Sequence, residues 1–197
     1  MPTAPTVDPP PPPPPTAVAT AEPAADVKVV ESVSTTTYAV SGSSGSELRS
    51  SLNASGPVAV DDNRRYDAVT NWSMQWSFRM RNDGVACTLT TATIQITITT
   101  VLPELSSPDD LSTDLLARWQ RYLDALRGHE SGHVARELDG ARTLKSLLEQ
   151  TPPAPTCPEL GRQLNVLGED EVDKIRASDS AYDVETRHGR TQGAVFP

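Results

Sequence analysis

Residues 128 to 134 read GHESGHV. Positions four apart on an α-helix share a face, so His129 and His133 can both present an imidazole nitrogen to one zinc ion (Zn2+) at about 2.0–2.1 Å. Glu130, one residue along, lies beside that face, where its carboxylate can take a proton from an attacking water without ligating the metal. Two ligands and a general base are the mechanical content of an H-E-x-x-H pattern, and the chemistry they point to is hydrolysis at a carbonyl.

A catalytic zinc takes three protein ligands and keeps one position open. The chain has three histidines in all, and the one outside the motif, His188 in AYDVETRHGRTQGA, is the expected third ligand; otherwise it is an exposed polar residue beside Gly189. Glu137 continues the helical face but lies two turns, about 12 Å along the axis, from His129, too far for the same coordination sphere. The longer pattern in which a glycine turns the chain toward a third histidine is absent, because Arg136 and Asp139 stand there. About twenty residues on, where another arrangement places a glutamate, the chain reads Thr151-Pro152-Pro153. Glu159, Glu169 and Glu171 remain open alternatives. Tyr182 and Arg187, near His188 in sequence, are candidates for stabilising an oxyanion. Gly128 and Gly132 each cost a helix about 1 kcal/mol relative to Ala; they either admit a close approach of backbone or substrate or simply weaken the helix.

The motif needs a helix to hold it. Ser112 or Thr113 can cap one, and Leu115, Leu116, Trp119, Tyr122, Leu123, Leu126, His133, Leu144, Leu147 and Leu148 continue one stripe at spacings of three and four until TPPAP ends it near residue 150. Before it come strands. VSTTTYAV (33–40) is rich in β-branched residues, and SELRSSLNAS reads as a short amphipathic helix. From Tyr66 to Met80, apolar and aromatic residues occupy alternate positions, as in a half-buried strand. Arg81-Asn82-Asp83-Gly84 is a turn, and CTLTTATIQITITTVL runs back as a second strand until Pro103. The Trp72, Trp76, Phe78 stripe is expected to be core rather than a ligand platform. This order predicts an α+β fold with the long helix packed across an antiparallel sheet. The hairpin is expected to offer an edge strand on which an extended peptide can pair.

The chain has 197 residues with a net charge of −9 and 37% hydrophobic residues, enough for one cored domain, expected over 33–197. The acidity and the lack of a basic cluster argue against nucleic acid as a partner. No window approaches the roughly 18–20 apolar residues of a membrane span. Pro9 to Pro15 is an unbroken proline run, and residues 1–32 are expected to be a disordered tail or linker. The N-terminus offers neither the basic start nor the apolar run of an export signal. Cys87 and Cys157, 70 positions apart with no CxxC spacing, fit one disulfide closing a long loop in an oxidising compartment; two unpaired buried thiols are the alternative.

TYAVSGSSGSELRSSL, the Trp-rich strand, the Cys before a Thr/Ile strand ending in LP, WQRYLDALRGHESGHV, a later Cys and YDVETRHGRTQGAVFP together resemble the bacterial domain-of-unknown-function family numbered nine hundred and twenty-two. Its members are described as predicted secreted zinc-dependent proteases. The resemblance covers roughly residues 36–197. It implies a zincin-like metallopeptidase with His129 and His133 as ligands and Glu130 as base, acting on a peptide or protein substrate in a secreted or cell-envelope setting. A non-catalytic extracellular module that binds metal or peptide through the same residues is the alternative.

Overall fold

The structure, a computed structural model, describes residues 25–59 and 63–196. The proline run expected as tail lies outside the described residues. The first strand, β1 (Asp26–Val40), begins within the stretch read as tail rather than at Val33. Helix α1 (Gly45–Ser55) follows, with Ser44 and Glu47 forming a capping box. Strands β2 (Val69–Asn82) and β3 (Cys87–Leu105) form the expected hairpin. Helix α2 (Thr113–Glu149) starts on the Ser112 cap, as its sequence predicts. Helix α3 (Cys157–Thr186) was not anticipated from sequence.

The sheet is mixed rather than antiparallel. Its order is β1-β3-β2, with β3 antiparallel to β2 and parallel to β1. The hairpin reverses the chain once between β2 and β3. Strand β1 joins the far side of β3, and nothing local in the sequence states which edge a strand will choose. Consequently β3 is covered on both sides, and the hairpin's own free edge is β2. Strand β3 also continues through Pro103 to Leu105. The pairing with β2 stops at Val69–Val101, so Pro103 lies where one side of the strand has no partner and a missing N–H is tolerated.

Two apolar clusters form the core. One joins Ile94, Ile96 and Ile98 of β3 to Leu144 and Leu148 of α2 and Leu160 and Leu164 of α3. The even-numbered stripe of β2 belongs to it: Trp76 packs where Gly168 leaves room in α3, and Phe78 and Met80 meet Gly161. The stripe is thus core, as expected. The other cluster joins α1 to the N-terminal half of α2 through Leu48, Leu52, Leu115, Trp119 and Tyr122, and closes on Phe196. Each fully buried Leu or Ile contributes about 1.5–3 kcal/mol.

Cys87 and Cys157 form the expected disulfide, closing a sequence separation of 70. It pins the start of α3 to the start of β3, beside the paired backbones of Cys87 and Ala154, and stabilises by about 2–4 kcal/mol. Among the described residues, no helix is long and apolar enough to cross a membrane.

Candidate metal centre

Helix α2 carries residues 129–133 at the junction of the two clusters, between Leu126 on one side and Ala141 and Leu144 on the other. The last turns of α3 lie against them. Positions 179, 182, 183 and 186 recur at three- and four-residue spacing, so Asp179, Tyr182, Asp183 and Thr186 share the face that meets α2. Beyond α3, residues 187–196 fold back over α2 and are held at their far end by Phe196. That ring packs on Trp119 and Tyr122, and its carbonyl accepts from Arg49.

Oδ1 of Asp183 lies 3.1 Å from Nε2 of His129 and 3.2 Å from Nε2 of His133. These three residues form a group able to hold a metal ion. Both imidazoles are fixed from behind. His129 Nδ1 lies 3.0 Å from Gln192 Oε1, and His133 Nδ1 lies 3.1 Å from Asp179 Oδ1. A neutral imidazole has one N–H, and here each ring has an acceptor at both nitrogens. Protons on the Nδ1 atoms satisfy Gln192 and Asp179, which leaves two Nε2 lone pairs and a carboxylate oxygen converging on one point. A cation there resolves the conflict. Two imidazoles and a carboxylate around zinc at about 2.0–2.2 Å would stand about 3.3–3.5 Å apart in a tetrahedron, close to the separations observed.

The same contacts shift the protonation of His133 and Asp183. Burial opposes the charged form of His133, but hydrogen bonds with Asp179 and Asp183 outweigh it and push the imidazole up to about 10. Burial also works to raise Asp183, yet hydrogen bonds from His129 and His133 hold its carboxyl well below the usual range.

Glu130 is buried, 5% exposed. Its Oε2 accepts from the Thr70 hydroxyl of β2 at 2.7 Å, and Thr70 in turn meets Thr100 of β3 at 3.1 Å. Burial raises the Glu130 carboxyl; the Thr70 hydrogen bond and the two histidines oppose this without reversing it. A groove of about 480 Å³ reaches Glu130 from the other flank of α2, lined by Val33, Thr35 and Thr37 of β1 and by Leu123, Arg127 and Val134 of α2. Thr100, Leu102 and Glu104 of β3 share this wall with β1, so the groove is bordered by the edge strand β1 and by the C-terminal end of the hairpin's second strand.

Tyr182 is buried against the two histidines. Its ring stacks on His129 at 5.0 Å and meets His133 edge-on at 5.1 Å, while the Arg136 guanidinium covers it at 3.6 Å. Its hydroxyl donates to the His129 carbonyl and accepts from Gln192 Nε2. Gly132 is what admits the ring, since a Cβ there would collide with the phenol. The glycine thus serves close approach by a side chain; Gly128 faces open space.

His188 is outside the group of three. It is 52% exposed, packs on Tyr66 at 5.0 Å and places Nδ1 3.4 Å from Asp183 Oδ1. Glu137 is buried beyond His133 with Oε2 unpartnered among the described residues. Asp183 does not stand out in the sequence, because a single aspartate carries no ligand signature of its own. The signal was the 179/182/183/186 spacing, readable once a helix is placed there.

No curated protein and no solved structure matches the chain. The model of a family described as bacterial protein of unknown function (DUF922) matches residues 35–189. That span takes in β3, the whole of α2 and α3, both histidines and Asp183, and on it the chain belongs to this bacterial family of unknown function.

Proposed function

We propose that the chain is a zinc-dependent peptidase working in an oxidising, extracytoplasmic setting. His129, His133 and Asp183 would hold the metal, with Glu130 as the general base. The observation that carries this reading is the convergence of two Nε2 atoms and Oδ1 of Asp183 while Gln192 and Asp179 occupy the opposite ring nitrogens. When bound, zinc supplies Lewis acidity that makes a water acidic near neutrality and polarises a carbonyl.

The chain's own groups supply the rest. Thr70 holds Oε2 of Glu130 and so orients the carboxylate, leaving its other oxygen to take a proton and return it to the leaving amine. The raised proton affinity of this buried carboxyl suits that exchange. Tyr182, with its hydroxyl engaged at the His129 carbonyl and Gln192, fits a positioning role better than oxyanion stabilisation. His188, beside Asp183, orients that carboxylate rather than replacing it. A peptide as substrate is supported by the groove along β1, an edge strand whose free backbone groups can pair with an extended chain. The disulfide supports the compartment.

The burial of both histidines, 3% and 8% exposed, favours as a second reading a structural metal site in a non-catalytic module. One experiment separates the two. Protein purified without a histidine tag is assayed for zinc and then for hydrolysis of a peptide library, alongside Glu130→Gln. The peptidase reading expects one zinc per chain in both proteins and turnover in the parent alone. Zinc-loaded parent protein that cuts no peptide sinks it.

A further inference from the structure

A cavity of about 530 Å³ adjoins the metal centre, lined by Arg187, His188, Arg190, Thr191 and Val195. In a chain of net charge −9 this wall is basic. Among the described residues no carboxylate pairs with Arg187 or Arg190, so neither guanidinium is neutralised by the chain itself. The backbone that presents them is strained. Arg187 and His188 are both left-handed, at φ 53° and 52°, a conformation unfavourable for residues with a Cβ and characteristic of places where the surroundings hold a functional geometry. The segment is held from both sides. The His188 N–H donates to the Asp183 carbonyl at 2.9 Å, and Gly189 packs on the His129 ring so closely that a Cβ would clash.

The cavity also shares a wall with the candidate ligands. His188 touches Asp183, and the Asp183 side chain is 29% exposed against 4% and 11% for the two histidines. The metal centre is therefore most open where this basic wall begins.

We infer that the cavity is a subsite for a carboxylate carried by the substrate near the bond that is cut, bound by Arg187 and Arg190. Guanidinium groups recognise carboxylates with paired, charge-assisted hydrogen bonds. The carboxylate can come from an acidic side chain or from a free C-terminus. The inference rests on the peptidase reading for its substrate, and its test measures binding without turnover.

Three N-terminally fluorescein-labelled hexapeptides, alanine apart from one central residue, serve as probes: central Gln with an amidated C-terminus, central Glu with an amidated C-terminus, and central Gln with a free C-terminus. Anisotropy is read with zinc-loaded Glu130→Gln protein, with and without the further pair Arg187→Gln and Arg190→Gln, each checked for unchanged thermal unfolding. At least one carboxylate peptide should bind about tenfold or more tighter than the neutral one, and the arm that does so names the source. The preference should vanish in the double replacement and shrink with added salt. Equal binding of acid and amide, a preference that survives the double replacement, or no binding by any peptide overturns the subsite. Hydrolysis of the same peptides by the parent is read separately. Turnover indifferent to the carboxylate counts against the subsite alone, and acid-selective binding without turnover counts against the peptidase reading alone.

Discussion

Nε2 of His133 and Oδ1 of Asp183 lie 3.2 Å apart although the residues are 50 positions apart in the chain. One stands mid-way along α2 and the other in the last turn of α3, so the contact exists only because the two helices pack. If this oxygen is the third ligand, Asp183→Ala weakens zinc binding by about a hundredfold or more, the loss of a ligand exceeding the roughly 10–100-fold typical of an orienting group. His188→Ala, which removes a neighbour that orients that carboxylate, costs roughly 10–100-fold, less than the loss of the ligand itself. Competition with a zinc-sensitive dye measures both, and a larger loss for His188→Ala would restore histidine as the third ligand.

Asp179 and Gln192 each hold the Nδ1 side of one histidine. Asp179→Asn and Gln192→Ala should each lower zinc affinity by roughly 10–100-fold. A side chain that only stabilised the fold would change the melting temperature of chelated and zinc-loaded protein alike. Here the stabilisation that zinc confers should itself shrink, which paired thermal melts would show.

The two glycines of GHESGHV should part company. Gly132→Ala drives a Cβ into the Tyr182 phenol, which stacks on His129 and meets His133 edge-on, so it should cost about 1–3 kcal/mol of stability and weaken zinc binding as well. Gly128→Ala meets open space and should stabilise by up to about 1 kcal/mol through helix propensity. Equal effects in denaturant titrations would contradict the close approach at Gly132.

Glu137 gives a pH signature. Burial first, and then the charge of Asp179, push its carboxyl from an ordinary 4.5 up to about 8. The folded protein then binds more protons than the unfolded chain in this range. The contribution is fully present below about 4.5 and is lost as pH rises through about 8. Glu137→Gln lacks it, so the variant's stability relative to the parent should climb between about pH 5 and pH 9 in the presence of a chelator. By the high end the gain should be on the order of 1–3 kcal/mol, the usual cost of a buried group without a partner. A difference that stays flat with pH would mean that Glu137 is not held protonated.

Much of this molecule can be read locally. The alternation from Tyr66 to Met80, the Asn-Asp-Gly turn and the Thr/Ile strand specify the β2–β3 hairpin, because pleat and turn chemistry act over a few residues. The stripe from Leu115 to Leu148 and the Ser112 cap specify α2 for the same reason. Helix α3 was less legible. Its buried face opens with Leu160 and Leu164 but continues through Gly168, Glu171, Tyr182 and Thr186, with Ile175 between them. The burial of these depends on Trp76 filling the space over Gly168 and on the histidines of α2, so the apolar stripe is interrupted and does not mark the full helix in the sequence.

The sequence alone determined that His129, Glu130 and His133 share one helical neighbourhood, since a spacing of four returns to the same face. It also gave the one possible disulfide, because only two cysteines exist. Tertiary structure alone decided that β1 runs parallel to β3, that Asp183 and not His188 completes the group of three, and that Gln192 and Asp179 stand behind the rings. Those relations join residues tens of positions apart, and they are set by how the β2 stripe and the Phe196 cluster pack helices α2 and α3 and the returning C-terminal segment, which no local pattern encodes.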